Sequence, residues 1–321
     1  MLKNIKLGVK MIGGFIIVAL IVAVVGFFGW NGATKLDGHI NEIGAVRLPS
    51  IQSLQVINIE VNAIRTAIRT MLNPRLSKDA KLRQYDNINA SRARYETAWD
   101  IYEPLPQTPE EAVLWKEFKT AWNSWREING RIIEMAKEID ATDILNPDEL
   151  ESRIVGFTRD HHVLMEQTLE FLLAGKAFQG GDDPTACAFG KWLAGYTTNN
   201  PEIDALLEEV HQYHDPFHKS VAEIKRLASQ GNQAQALRVF QSQMQPNADD
   251  VFNIFGELET EAERVVGLYD SMNELAFGEA TTAQNTAMGL LEQIIHINEE
   301  VADASMETAG EDSTSVQLIA I

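Results

Sequence analysis

The chain has 321 residues and carries 46 acidic side chains against 27 lysines and arginines, giving a formal net charge of −19 at pH 7 and an isoelectric point near 4.8. That balance leaves no basic face for a nucleic acid, and a single cysteine excludes an intrachain disulfide, a paired Cys-x-x-Cys site and a Cys-x-x-Cys-His haem attachment. The length allows two domains, and no segment reads as a phosphate-cradling loop.

Met11 to Trp30 is an uncharged apolar run of about the twenty residues needed to cross a bilayer as a helix. It is longer than the apolar core of a cleaved signal peptide, lacks a clear small-x-small site, and ends in Phe27, Phe28 and Trp30, which suit the membrane interface. Lys3, Lys6 and Lys10 precede it. Residues 1–10 are therefore expected in the cytoplasm, 11–30 in the cytoplasmic (inner) membrane, and the chain from about residue 31 on the periplasmic or extracellular side.

Beyond the span, strand signals are nearly absent and helical periodicity is sustained, so the fold class is all-α. Ile51, Leu54, Ile57, Val61, Ile64, Ile68 and Leu72 recur at alternating three- and four-residue steps, the seam of a long helix in a bundle. Asn73-Pro74 ends it, and Ser77 precedes a second helix reaching about Tyr102. After Pro104 and Pro106, Thr108 can cap a third helix with Pro109 in its first turn and Glu110 and Glu111 facing the dipole. Trp115, Phe118, Trp122 and Trp125 fall at helical spacing along it and read as bundle core.

Asn146-Pro147-Asp148 and Gln245-Pro246-Asn247 mark two further boundaries. A long helix is then expected from about Ala248 towards residue 305, its seam opened by Val251, Ile254, Leu258, Ala262, Val265 and Tyr269. The last residues, 316–321, turn apolar and look like the opening of a second transmembrane helix, as if a longer receptor were cut there. The resulting organisation is a cytoplasmic N-terminus (1–10), a span (11–30), three bundle helices (31–147), an inserted helical module (148–246), a return helix (247–315) and the start of a second span (316–321).

The inserted module carries the chemistry. Cys187 sits in Cys187-Ala188-Phe189-Gly190-Lys191-Trp192, with His161-His162 upstream and His214-Asp215-Pro216-Phe217-His218 downstream. One thiolate and three imidazoles complete a tetrahedral zinc shell, and His214 and His218 at i, i+4 project from one helix face. Either His161 or His162 can supply the remaining imidazole. Periodicity favours His161, because Leu164, Met165, Thr168, Leu169 and Leu172 continue its face whereas His162 meets Glu166 one turn on. His211 is read as a spectator, and Pro216 inside the pair implies a helix start or a kink.

The order His-x-x-apolar, Cys-x-apolar-Gly-x-Trp, His-x-x-x-His resembles the chemoreceptor zinc-binding domain over residues 155 to 243, with Leu164 where that family has a bulky aromatic. The opening Met1-Leu2-Lys3-Asn4-Ile5-Lys6, the span, and Arg47-Leu48-Pro49-Ser50-Ile51 resemble the four-helix-bundle sensor of methyl-accepting chemotaxis proteins, from residue 1 to about 145 and again from about 248. The resemblance implies a transmembrane helix leading into a long antiparallel four-helix bundle, interrupted by a second bundle that binds zinc through His161, Cys187, His214 and His218.

It also implies a homodimer that reaches a histidine kinase and coupling protein only through cytoplasmic signalling parts absent from this chain. The cysteine allows two stimuli, zinc occupancy or oxidation of the thiolate. Arg65 and Arg69, at i, i+4 beside the first seam, would suit the carboxylate of a small organic ligand. Catalysis is not expected, since four protein ligands leave zinc no open position and no Glu-x-x-His repeats offer a di-iron site.

Overall fold

In the computed structural model, which describes residues 6–320, helix α1 spans Leu7–Asn41 and a single π-helical stretch, Glu42–Arg47, carries it into α2, Leu48–Met71. The other helices are α3 (Lys78–Tyr102), α4 (Pro109–Ala141), α5 (Pro147–Ala174), α6 (Ala188–Leu193), α7 (Pro201–Ser229), α8 (Gln233–Val239), α9 (Gln245–Phe277) and α10 (Glu279–Ala320). No strand occurs among the described residues, and the fold is all-α. Lys3 of the N-terminal lysine set and Ile321 of the apolar C-terminal run lie outside the described residues.

The helix starts follow the expected capping chemistry. Thr108 Oγ1 accepts from the Glu111 amide at 3.1 Å while Glu111 Oε2 accepts from the Thr108 amide at 3.1 Å, a reciprocal capping box that opens α4. Asn146 accepts from the Glu149 amide at the start of α5, with Pro147 in its first turn. Two expectations are corrected. Gln245-Pro246 is no break: a π-helical stretch, Phe240–Met244, passes directly into α9. The same device precedes Pro49, and in both places the carbonyl four residues before the proline lies inside the wider turn, where the missing N–H and the ring clash are absorbed. The return helix, in turn, is interrupted at Gly278, whose ψ of −97° leaves the helical region and separates α9 from α10.

The chain divides into two compact units. The first holds residues up to Ala67, Tyr85–Glu127 and the chain from Ala280. Along the apolar run, Phe15, Leu20, Phe27 and Trp30 of α1 are all exposed, and the helix is long and apolar enough to cross a membrane. Past the run, α1 and α2 lie antiparallel to α10: Gly32 meets Val316, Lys35 pairs with Asp312 at 2.8 Å, Arg47 bonds Asn298 at 3.0 Å and Gln284 bonds Asn62 at 3.3 Å. Leu54, Ile57, Val61 and Ile64 are buried as the seam requires, and Trp115, Phe118, Trp122 and Trp125 form a contiguous aromatic stack.

One polar layer crosses that core. Glu111, wholly buried, accepts from Tyr102 Oη at 2.6 Å, Asn298 Nδ2 at 2.8 Å, Arg47 Nη1 at 3.0 Å and its capping partner Thr108. Arg47 is also buried and donates Nε to Glu42 at 2.7 Å. A carboxylate has about four acceptor sites, and here all four are used.

The second unit holds Ile68–Gln84 and Ile128–Glu279. In it α5, α7 and α9 pack side by side, with α8 against α7. Val251, Ile254, Leu258, Ala262, Val265 and Tyr269 are buried along α9, and Phe217, Val221 and Ile224 along α7.

Candidate metal centre

Four donors meet inside the second unit. His161 comes from α5, Cys187 from the residue that caps the short α6, and His214 and His218 from α7. Their donor atoms all lie within 4.8 Å of one another. His214 Nε2 is 3.2 Å from His161 Nε2, 3.1 Å from His218 Nε2 and 3.3 Å from Cys187 Sγ. A tetrahedral zinc with bonds of about 2.0–2.3 Å sets its ligand atoms roughly 3.3–3.6 Å apart, so His214 stands near shell distance from each of the other three donors.

The tautomers make the same point chemically. His161 Nδ1 donates to the Phe157 carbonyl at 2.7 Å and His218 Nδ1 to the Gly181 carbonyl at 2.7 Å. A carbonyl oxygen can only accept, so in both neutral rings the proton is on Nδ1 and the Nε2 lone pair faces inward. Both lone pairs point at His214 Nε2, which has at most one proton to share. A cation satisfies all of them at once.

The surroundings keep these groups neutral until a metal binds. His161, His214 and His218 are 3%, 2% and 0% exposed, packed among Phe189, Phe217 and Phe255. Burial lowers the pKa of His161 to about 4 and that of His214 to about 3, and it lowers His218 as well. The same burial pushes the Cys187 thiol up, opposed by the Gly190 amide, which donates to Sγ at 3.1 Å. Gly190 is required by close approach: a Cβ there would lie 2.0 Å from the Pro184 carbonyl oxygen.

Residues 4–146 match the four helix bundle sensory module for signal transduction, and residues 161–225 match the chemoreceptor zinc-binding domain. Over those residues the chain carries a chemoreceptor sensory module and a zinc-binding domain. Both matched families are signalling or metal-binding modules rather than enzymes. No curated protein and no solved structure matches the chain.

Around the zinc-binding domain's donor cluster, the remaining candidates are placed elsewhere. His162 is exposed and stacks on Phe252 at 4.0 Å, on the face turned away from the cluster. His211 is exposed and lies 4.0 Å from the Asp215 carboxylate. Pro216 sits in the interior of α7 between the two histidines, yet the helix continues and their Nε2 atoms still converge. Along the His161 face, Thr168 and Leu172 are buried, whereas Leu169 is exposed. Arg65 is half-buried, and Arg69 lies over the Phe277 ring at 4.8 Å.

Sequence reasoning missed the loop between α5 and α6. Its glycines 175, 180 and 181 all have positive φ, and its Gly181 carbonyl is the acceptor that orients His218. The only local signal was the Gly180-Gly181 pair.

Proposed function

We propose that the chain is the extracytoplasmic sensory part of a transmembrane chemotaxis receptor in which His161, Cys187, His214 and His218 hold one zinc ion. The observation that carries this reading is the convergence of one sulfur and three imidazole Nε2 atoms, joined to a sensory module. Bound zinc would supply the charge that converts the Cys187 thiol to thiolate and would fasten α5, α6 and α7 together. A shell closed by four protein donors leaves no position for a substrate water, which favours sensing over hydrolysis. Lys6 and Lys10 ahead of the span support a cytoplasmic N-terminus with the following helices outside. The pairing of Gly32 with Val316 supports a return of α10 to the membrane beside α1, so that a change in the helices is carried back across it. The resemblance to chemotaxis receptors implies a homodimer, and that assembly is proposed here.

A second stimulus is favoured by one observation. Cys187 is partly exposed, whereas the three histidines are buried, so the sulfur is the donor a small oxidant reaches first. Metal analysis of the purified full chain tests both readings. One zinc per chain is expected, with loss in Cys187→Ser and in His214→Ala. Zinc release on oxidation should occur in the parent, while His214→Ala retains an oxidisable thiol. Metal-free parent protein, or variants with undiminished zinc, would count against the site.

A further inference from the structure

His218 and Lys225 lie two turns apart on one face of α7, and each reaches a carbonyl of the same loop. His218 Nδ1 donates to the Gly181 oxygen at 2.7 Å, and Lys225 Nζ donates to the Gly180 oxygen at 2.5 Å. The lysine is further fixed by the Phe178 ring, 4.2 Å below its ammonium, and by Asp182 at 3.8 Å. Its side chain is 25% exposed, so its charge-assisted bond to the Gly180 carbonyl is partly screened from water.

The backbone makes this double capture feasible. Gly180 and Gly181 have φ of 73° and 82°, a left-handed pair that a side chain would strain. At Gly181 a Cβ would also lie 2.4 Å from Leu164 Cδ1, so α5 presses on the loop from the side opposite α7. The Gly180–Gly181 segment is therefore held from three directions: at the Gly181 oxygen by His218, at the Gly180 oxygen by Lys225, and beside the Gly181 Cα by Leu164.

We propose that Lys225 is a positioning residue for the metal centre. By holding the Gly180 carbonyl it fixes the Gly180–Gly181 peptide, keeps the Gly181 oxygen on His218 Nδ1, and so keeps the His218 Nε2 lone pair aimed at the other donors. This rests on the reading that the four donors hold zinc. Loss of a ligand's own hydrogen-bond partner typically weakens metal binding 10- to 100-fold, and Lys225 fixes the peptide next to that partner, the Gly181 carbonyl.

The test is chelator competition for zinc on the purified full chain, with cobalt absorption as a second readout of donor geometry. Lys225→Met keeps the apolar stem over Phe178 and removes the donor; it should weaken zinc by about tenfold or more and alter the cobalt spectrum. Lys225→Arg, which keeps a cationic donor, should stay within about threefold of the parent. Gly181→Ala should weaken binding at least as much as Lys225→Met. An unchanged affinity and cobalt spectrum in Lys225→Met, with the parent binding zinc, overturns this inference alone. An effect explained by a lowered metal-free melting temperature, with no rescue by arginine, overturns it too. A parent chain that binds no zinc in the same assay overturns the zinc reading together with the inference.

Discussion

Glu111 is the side chain whose loss the structure prices most clearly. It is wholly buried and accepts four hydrogen bonds, from Tyr102, Asn298, Arg47 and the Thr108 amide. Glu111→Gln keeps the volume but turns an NH2 group towards two of those donors. The buried Arg47 cation is then left with Glu42, which is 36% exposed, as its remaining carboxylate. Breaking a buried ion pair in this way typically costs about 3–5 kcal/mol, since one charge stays desolvated without its partner. Replacing the layer with apolar residues (Arg47→Met, Glu111→Leu and Asn298→Leu together) removes the desolvated charges as well as the bonds, and should cost far less than the single change. Urea unfolding followed by tryptophan fluorescence suits the question, because Trp99, Trp115, Trp122 and Trp125 all lie in this unit and Trp115 sits 4.6 Å from the Tyr102 ring. A Glu111→Gln chain within about 1 kcal/mol of the parent, or a triple variant less stable than the single one, would refute the argument that an orphaned buried charge dominates.

At the metal centre, His161→Ala should lose zinc while His162→Ala retains it, read by metal content after dialysis; the opposite outcome would mean that the helix-face argument chose the wrong ring. Metal-free protein should lose stability as pH falls from about 6.5 towards 4, because unfolded imidazoles bind protons there. Folded His161 does not do so until about 4, nor His214 until about 3, and thermal melts across pH 4–8 should be flat above about 7. A metal-free melting temperature that rises on acidification would contradict the burial argument. Alkaline phosphatase fused after Asn247 should be active, and activity of a cytoplasmic reporter at that point instead would invert the proposed topology.

Local chemistry decided a good deal of this protein in advance. A run of twenty or so uncharged apolar residues can only be satisfied as a helix in lipid or a buried core, so the long, exposed apolar stretch of α1 was legible from composition. The Thr108 cap depends on a residue three positions on, and the His214–His218 pairing on residues four apart; both were readable because their partners are neighbours in the chain, whereas Asn146 was read only as a boundary and also caps α5. Spacing also nominated His161 and Cys187, but the sequence left His162 as a rival. Only packing decided between them, because the face of α5 that turns inward is set by Phe189, Phe217 and Phe255 from other helices.

The tertiary structure alone decided the rest. The Arg47–Glu111–Asn298 layer joins residues far apart in sequence, and no periodicity marks a buried arginine whose partners arrive on other helices. Pro246 read locally as a boundary, yet a π-helical stretch before it, like the one before Pro49, absorbed it, since the packed helices on both sides outweigh the cost of one widened turn. The Gly278 interruption was invisible because apolar spacing reports which face is buried and not whether the backbone stays continuous. Lys225 had the pattern of an ordinary surface lysine. Its bond to Gly180 exists because two left-handed glycines turn the loop's carbonyls onto α7, a long-range geometry that side-chain spacing does not encode.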